Sequence, residues 1–160
     1  MAKWGKCDYR QLKDLQRRLD RLQKADLDQF CEECAKELAA RLLSKVIRRT
    51  PVGDYAGGGT LRRGWTAATE AEAEGGGRSN AKEYVDGLKI NKTGNIYQIE
   101  IVNPVNYASY VEFGHRTRDH QGWVNGRFML TISEDELDGQ APAILEKKLL
   151  KYLGEAFNNA

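Results

Sequence analysis

The strongest constraint on the fold is an apolar pattern between residues 26 and 49. Apolar side chains recur there at every fourth position, which is the spacing of one helix face: Phe30, Cys34, Leu38, Leu42 and Val46. The helix must end before Pro51, because the residue preceding a proline is pushed away from helical backbone angles. This segment predicts a helix about 36 Å long, which is long enough to cross a small domain and to form its frame.

A second helical pattern precedes this helix, so residues 8–49 are predicted as a helical arm followed by the long helix. Leucines at steps of three, four and three form one apolar stripe among charged residues: Leu12, Leu15, Leu19 and Leu22. Asp26 is a candidate N-cap for the long helix, and one continuous helix through Ala25 is the alternative. The stripe is either a packing surface within the chain or the contact face of an arm that docks on a neighbouring subunit.

Residues 50–83 are predicted as a long, mobile, glycine-rich loop. Two triple glycines, at 57–59 and 75–77, bracket a stretch that contains Trp65. Glycine raises the conformational entropy of the unfolded chain and weakens local structure. A short strand between Leu61 and Ala67 is the one regular element expected in this loop.

The second half of the chain alternates between strand and helix signals. Residues 84–90 and 96–102 flank a turn cluster and predict a β-hairpin over 84–103. Residues 107–114 predict a short helix that ends at a glycine, and a polar loop over 115–122 follows it. Helices are predicted over 127–157, with a kink or break at Asp138–Gly139 and with Pro142 in the first turn of the last segment.

These elements predict one α+β domain over residues 1–160. A long N-terminal helix packs on a small antiparallel β-sheet, with a short helix and a closing C-terminal helix. The chain has 160 residues and a formal net charge of +2, and 41% of its residues are hydrophobic. This composition is typical of a globular protein, and it excludes collagenous and disulfide-rich secreted classes. We expect neither a membrane span nor a secretory signal.

Charge is distributed unevenly along the chain. Residues 1–49 carry 13 Lys/Arg against 8 Asp/Glu, whereas residues 122–160 carry 4 against 6. A basic first third and an acidic last third suit head-to-tail contact between copies of the chain.

The three cysteines, Cys7, Cys31 and Cys34, predict reduced thiols rather than a disulfide framework. Cys31 and Cys34 have the spacing of a redox or zinc pair. They lie inside the predicted helix beside two glutamates, which favour protonated thiols, and no second pair of cysteines could complete a zinc site. We therefore interpret them as small core residues, and we expect no metal and no cofactor.

The densest group of chemically capable side chains lies around the predicted polar loop: Glu112, His115, Asp119 and His120. Two imidazoles and two carboxylates could hold a metal ion or transfer protons. The spacing matches no hydrolase motif, so an interface loop in which Arg116 and Arg118 offset the acids is the favoured interpretation. No catalytic residue is assigned.

Arg62, Arg63 and Trp65 form a second candidate contact group. Two guanidinium groups beside an indole can contact phosphates. Nearby acidic residues argue against a nucleic-acid surface, and neither triple glycine matches a nucleotide-binding loop. A loop that is solvated or faces a partner is the favoured interpretation, without sequence-specific nucleic-acid binding.

Three segments resemble motifs of one family of tailed-bacteriophage neck proteins. Residues 50–53 and 60–65, which read TPVG and TLRRGW, are similar to its "TPV-(D)TG-LRRSW" signature. Residues 103–116, which read NPVNYASYVEFGHR, resemble its "NPVEYAxYVEFGHR" segment closely. Residues 122–130, which read GWVNGRFML, resemble its "GWVxGRFML" segment. Residues 54–59 are an insertion relative to the family pattern.

This family comprises head–tail joining, or tail-completion, proteins. The resemblance implies a structural virion protein that is made in the cytoplasm of the bacterial host and forms a ring of about six copies. The implied partners are other copies of the chain, the head-closure protein, and the tail terminator or tail tube protein. Two alternatives are a tail terminator that caps the tube and a metal-dependent enzyme that uses His115 and His120.

Within this interpretation, one group of residues is expected to make contacts with subunits or partners: Arg62, Arg63, Trp65, His115, Arg116 and Arg118. A second group is expected to hold the short helix to the sheet: Tyr107, Tyr110, Glu112, Phe113 and Gly114. A third group is expected to seat the closing helix: Trp123, Phe128 and Met129.

Overall fold

The structure, a computed structural model, describes residues 10–24, 27–54, 58–76 and 80–158. The predicted α+β class is confirmed. The helical arm α1 spans Arg10–Lys24, and the long helix α2 spans Leu27–Arg49. The predicted N-cap Asp26, and with it the alternative of a continuous helix through Ala25, lies outside the described residues.

The long helix α2 packs antiparallel against the C-terminal helix α7, which spans Met129–Asn158. Near one end of this pair, the ring centroids of Phe30 and Tyr152 are 4.5 Å apart. Near the other end, the carboxylate of Glu136 accepts hydrogen bonds from Lys45 at 3.0 Å and from Arg49 at 2.6 Å. The sequence predicts that α2 alone forms the frame of the domain. In the structure, the frame is a pair of long helices that contact each other near both ends.

Helix α7 is continuous, so a kink or break at Asp138–Gly139, as predicted, is wrong as far as the break is concerned. Pro142 lies inside the helix rather than in its first turn. A proline in a helix interior removes one backbone hydrogen bond, and a glycine there costs about 1 kcal/mol relative to alanine. The contact of α7 with α2 extends on both sides of these residues, and this packing keeps the helix in one piece.

The loop predicted over residues 50–83 is wrong in part, because its described part contains two short helices. Helix α3 spans Thr60–Gly64 and helix α4 spans Glu70–Glu74. The strand expected between Leu61 and Ala67 is wrong as well, because α3 occupies most of that stretch. The glycine content was misleading, since the apolar residues between the glycines are buried in the core: Leu61, Trp65, Ala67 and Ala73.

Thr50, at the end of α2, joins this segment to the long helix. Its hydroxyl donates to the carbonyl of Val46 at 2.7 Å and accepts from the indole Nε1 of Trp65 at 2.7 Å. Its carbonyl accepts two bonds from the guanidinium of Arg62, at 3.1 and 2.7 Å. Thr50 is fully buried, so these bonds satisfy polar groups that water does not reach.

The predicted hairpin over residues 84–103 is only partly present. Its first expected strand, 84–90, lies largely in helix α5, which spans Ala81–Gly87. The side chain of Asn80 caps this helix by accepting from the backbone N–H of Lys82 at 3.0 Å. Val85 is fully buried and α5 packs on α2, so tertiary packing favours the helical spacing over the alternating one.

The first hairpin is consequently shorter than predicted. Strand β1 spans Asn91–Thr93 and pairs antiparallel with β2, which spans Ile96–Gln98. Two of its side chains reach the start of α2, where Lys92 and Tyr97 bond to the carboxylate of Asp28 at 2.5 and 2.6 Å. Residues 99–102 form no strand, although the sequence pattern predicts one through residue 102.

The short helix α6 spans Ala108–Phe113, which confirms the prediction over 107–114. Two further strands follow it, β3 over Gly114–Arg116 and β4 over Trp123–Asn125. The core lies between α2, α7 and the short helices. Its buried members are Ala39, Leu43, Val46, Leu61, Trp65, Ala67, Ala73, Val85, Val105 and Met129.

We predict that Trp65→Phe destabilises the protein by about 1 to 3 kcal/mol. The substitution removes the bond from the indole to Thr50 and leaves part of the space of the larger ring empty. Urea unfolding followed by far-UV circular dichroism measures the effect. Trp123→Phe is the control because Trp123 is 59% exposed, and we expect it to change the stability by less than about 0.5 kcal/mol. Equal effects of the two substitutions would contradict the proposed role of Trp65.

We predict that Glu136→Gln weakens the dependence of stability on pH in acid. Hydrogen bonds from Lys45 and then Arg49 lower the pKa of the Glu136 carboxyl. Between this lowered pKa and the unfolded value of about 4.3, the unfolded chain binds more protons, so the stability of the parent falls as the pH falls through this window. Urea unfolding at a series of pH values measures the slope.

Glu134→Gln is the matched control for this measurement. Glu134 is exposed and has no ion pair in the part of the chain that the structure describes. We expect the control to keep the acid slope of the parent. If Glu136→Gln kept that slope too, the ion pairs of Glu136 would not contribute to the dependence of stability on pH in acid.

Candidate interaction surface

Two of the sequence motifs, residues 103–116 and residues 122–130, meet in a second β-hairpin. Strand β3 pairs antiparallel with β4, with His115 opposite Val124 and Arg116 opposite Trp123. The polar loop predicted over 115–122 is therefore wrong at its start, because His115 and Arg116 lie in a strand. Only the residues between the two strands form the connecting loop.

Two glycines allow this hairpin to pack tightly on α6. Gly114 has a φ of 86°, in the left-handed region that side chains rarely adopt. A Cβ atom at Gly126 would collide with the backbone of Glu112, Phe113 and Gly114. Neither position therefore tolerates a side chain without backbone movement.

Glu112 connects α6 to the start of α7. Its side chain is buried and accepts hydrogen bonds from the backbone N–H groups of Leu130 and Thr131, both at 3.0 Å. It also accepts one from the hydroxyl of Thr131 at 2.9 Å. The first N–H groups of a helix have no partner within the helix, and a carboxylate there is favoured by the helix dipole. Glu112 thus caps α7, rather than only holding the short helix to a sheet.

Several aromatic residues expected to pack inside the domain are instead exposed. Tyr110, Phe113 and Trp123 have exposed fractions of 58%, 61% and 59%. Phe128 is 42% exposed, while Met129 is fully buried, as predicted. Helix α6 is only six residues long, and its inward positions are taken by other side chains, including that of Glu112.

Two of the predicted contact residues lie beside these exposed aromatic rings. His115 and Arg116 are exposed on β3, and the imidazole of His115 meets the ring of Tyr110 edge-on, with centroids 5.9 Å apart. We define the hairpin surface by its five exposed residues: Tyr110, Phe113, His115, Arg116 and Trp123. It combines apolar area with the guanidinium group of Arg116, and aromatic residues and arginine are enriched in protein–protein interfaces. Arg118 is exposed in the adjoining loop.

The other three predicted contact residues make bonds within the chain. Arg62 bonds to the carbonyl of Thr50, and Arg63 donates to the carbonyls of Ala73 at 2.7 Å and Gly58 at 3.2 Å. Trp65 is only 4% exposed. These side chains hold α3 and α4 in place, and contact with another subunit stays a prediction for all six residues.

The loop between β3 and β4 is held by its own side chains. The carboxylate of Asp119 accepts from the hydroxyl of Thr117 and from the backbone N–H of Gln121, and these bonds lower the pKa of Asp119. Within the described ranges, no three His, Cys, Asp or Glu side chains converge as metal ligands would. The geometry therefore gives no support to a metal-dependent enzyme at His115 and His120.

The cysteine pair does not belong to the hydrophobic core, so its interpretation as small core residues is wrong. Cys31 and Cys34 are half-buried thiols on α2, and Cys7 lies outside the described residues. Burial, as the largest contribution, raises the pKa of the Cys34 thiol. A raised pKa favours the protonated thiol, which is a poor nucleophile and metal ligand.

Comparison with known proteins decides the family. The sequence profile of the HK97-gp10-like family, described as "Bacteriophage HK97-gp10, putative tail-component", matches residues 13–114. The chain belongs to this family. The match covers most of the chain and includes α1, α2, the middle helices and α6. No curated protein and no solved structure matches the chain.

Family membership indicates a structural component of a phage tail and points away from an enzyme. The matched range includes most of the segment 103–116, which carries the closest motif resemblance, and ends before the segment 122–130. No helix in the described ranges is long and apolar enough to cross a lipid bilayer.

We predict that Glu112→Gln destabilises the protein by about 1 to 3 kcal/mol. The amide carries no charge, and its NH₂ group would face backbone N–H donors that need acceptors. Urea unfolding measures the change. Glu100→Gln, at an exposed position, is the control and should leave the stability near that of the parent. A loss no larger than that of the control would show that Glu112 is not needed as a cap.

Proposed function

We propose that this tail component acts at the phage neck. In this proposal, several copies form a ring that joins the head-closure complex to the top of the tail, and the tail terminator or tail tube protein is the partner on the tail side. The protein is made in the cytoplasm of the bacterial host and ends in the virion. It needs no cofactor and does not read a nucleic-acid sequence.

The observation that carries this proposal is the position of the most specific motif in the fold. Residues 103–116, whose sequence resembles that of neck proteins, form α6 and β3, and they present the hairpin surface. Three large aromatic side chains of this surface are more than half exposed. Exposed apolar residues that lie close together typically mark a contact with another protein.

The internal bonds around the hairpin surface also suit a contact surface. Glu112 ties α6 to α7, and the backbone N–H of Arg127 donates to the carbonyl of Val111 at 2.8 Å. A surface held on a rigid support loses little conformational entropy when it binds a partner. The hairpin surface is therefore suited to docking without rearrangement.

Electron microscopy of particles made without this gene tests the proposed function. Full heads beside free tails of normal length are the expected result, because a missing joint leaves both parts intact. Overlong tails would assign the chain to the tail terminator role instead. Intact, infectious particles would contradict both roles.

Complementation of the same deletion tests the hairpin surface. The double substitution Phe113→Ala with Trp123→Ala should reduce the yield of joined particles by at least about tenfold, since burial of each ring would otherwise contribute to binding. The control is Ile96→Ala with Val102→Ala, which removes exposed apolar area from another part of the chain. Equal yields from both pairs would exclude the hairpin surface as the docking site.

A further inference from the structure

Helix α1 presents an apolar stripe that the described chain leaves uncovered. Leu12, Leu15 and Leu19 are 60%, 49% and 49% exposed. Their spacing of three and four residues places them on one side of the helix, as in the seam of a coiled coil. An amphipathic helix of this kind gains most of its stability from the packing of its apolar side. The stripe therefore needs a partner.

The charge of α1 restricts what this partner can be. The helix carries six Lys/Arg against two Asp/Glu. Two copies of α1 placed side by side would bring two strongly cationic helices together, which is electrostatically unfavourable. An apolar surface flanked by acidic side chains is the complementary partner.

Such a surface exists on α7, at the border of its contact with α2, where Ala143 lines a groove together with Phe30 and Arg41. Four exposed residues at heptad spacing form what we call the α7 seam: Ile132, Gly139, Ala143 and Leu150. The first part of the helix, residues 129–140, contains four Asp/Glu and no Lys/Arg. Glu136 is paired with α2, whereas Asp135 and Asp138 are exposed and have no ion pair among the described residues.

The α7 seam also suits leucines in shape. Gly139 and Ala143 have small side chains, and a Cβ atom added at Gly139 would meet no other atom within 4 Å. Large residues on one helix pack against small residues on the other when two helices approach closely. The leucines of α1 can thus lie over the middle of the α7 seam.

The stripe cannot cover the acidic part of the α7 seam within its own chain. Leu15 and Leu19 lie about 14 and 8 Å from the end of α1 at Lys24, and only two residues separate that end from α2. Glu136 packs against Lys45 and Arg49, about 27 to 33 Å along α2 from its start. Helix α1 also contacts its own α7, but by this reach the contact does not extend to the acidic part of the α7 seam.

We propose that the leucine stripe of α1 docks on the α7 seam of the next copy. The two surfaces differ, so the contact is head-to-tail, and it closes into a ring when the rotation between copies allows it. The inference rests on the proposed function only in requiring several copies side by side.

Disulfide cross-linking in purified phage particles tests this contact. The double variant Leu15→Cys with Ala143→Cys is made in a background in which Cys7, Cys31 and Cys34 are replaced by serine. After mild oxidation we expect a ladder of covalent multimers, because each copy links to the next. The control pairs Leu15→Cys with Val102→Cys, which is exposed elsewhere, and should remain monomeric.

Other cross-linking results would overturn the proposal. A monomer with an internal cross-link would mean that α1 covers its own α7. Dimers from Leu15→Cys alone would mean that two α1 helices pair. Particles that contain the protein but show no ladder would also exclude the contact, although the neck function would stand. Particles without the protein would contradict the proposed function itself.

Charge reversal is a second test that does not require the cysteine-free background. Arg18→Glu, and separately Asp135→Lys, should each lower incorporation into particles about tenfold, since each residue flanks its surface and like charges would then face each other. Combining both substitutions restores opposite charges and should bring incorporation back to within about threefold of the parent. Failure of the combination to recover would overturn the proposal.

Discussion

The antiparallel contact between α2 and α7 supports the other parts of this fold. Leu43 and Val46 of α2 and Met129 of α7 are fully buried at this contact or beside it. The guanidinium of Arg49 bonds to both Ser133 and Glu136, at 2.7 and 2.6 Å, so the polar side chains at the edge of the contact are also hydrogen-bonded. The middle helices and the first hairpin attach to α2, and α6 attaches to the start of α7. Loss of the α2–α7 contact would therefore leave each small element without a surface to pack on.

The short elements depend on a few buried polar groups. Helices of five to seven residues are unstable in isolation, because the nucleation of a helix is unfavourable. Thr50 holds α3 through Trp65 and Arg62, and Glu112 joins α6 to α7. These groups make several hydrogen bonds each in places that water does not reach. Packing and hydrogen bonding thus compensate for weak local helix propensity.

Elements with long, regular patterns could be predicted from the sequence. The four-residue spacing and Pro51 located α2 to within about a residue at each end. The error at 84–90 arose because a seven-residue stretch fits both helical and alternating spacing, and contact with α2 selects the helix. The glycines at 57–59 and 75–77 suggested a loop, but the residues between them are held by long-range contacts that local sequence does not reveal.

The candidate surface was predictable in part. His115, Arg116 and Arg118 are exposed at the second hairpin, where the resemblance indicated partner contacts. Arg62, Arg63 and Trp65 bond within the chain instead, and their acceptors are mostly backbone carbonyls, which no sequence motif specifies. The exposure of Phe113 and Trp123 was missed because aromatic residues in a small domain are usually expected in the core.

The cap at Glu112 has a mechanical consequence. It joins the hairpin surface to one end of a helix that is about 45 Å long. A force applied to the hairpin by a bound partner is transmitted through three hydrogen bonds into α7, and from there along most of its length to the contact between Tyr152 and Phe30. Helix α7 can therefore transfer tension from the hairpin surface to the Tyr152–Phe30 contact with little extension.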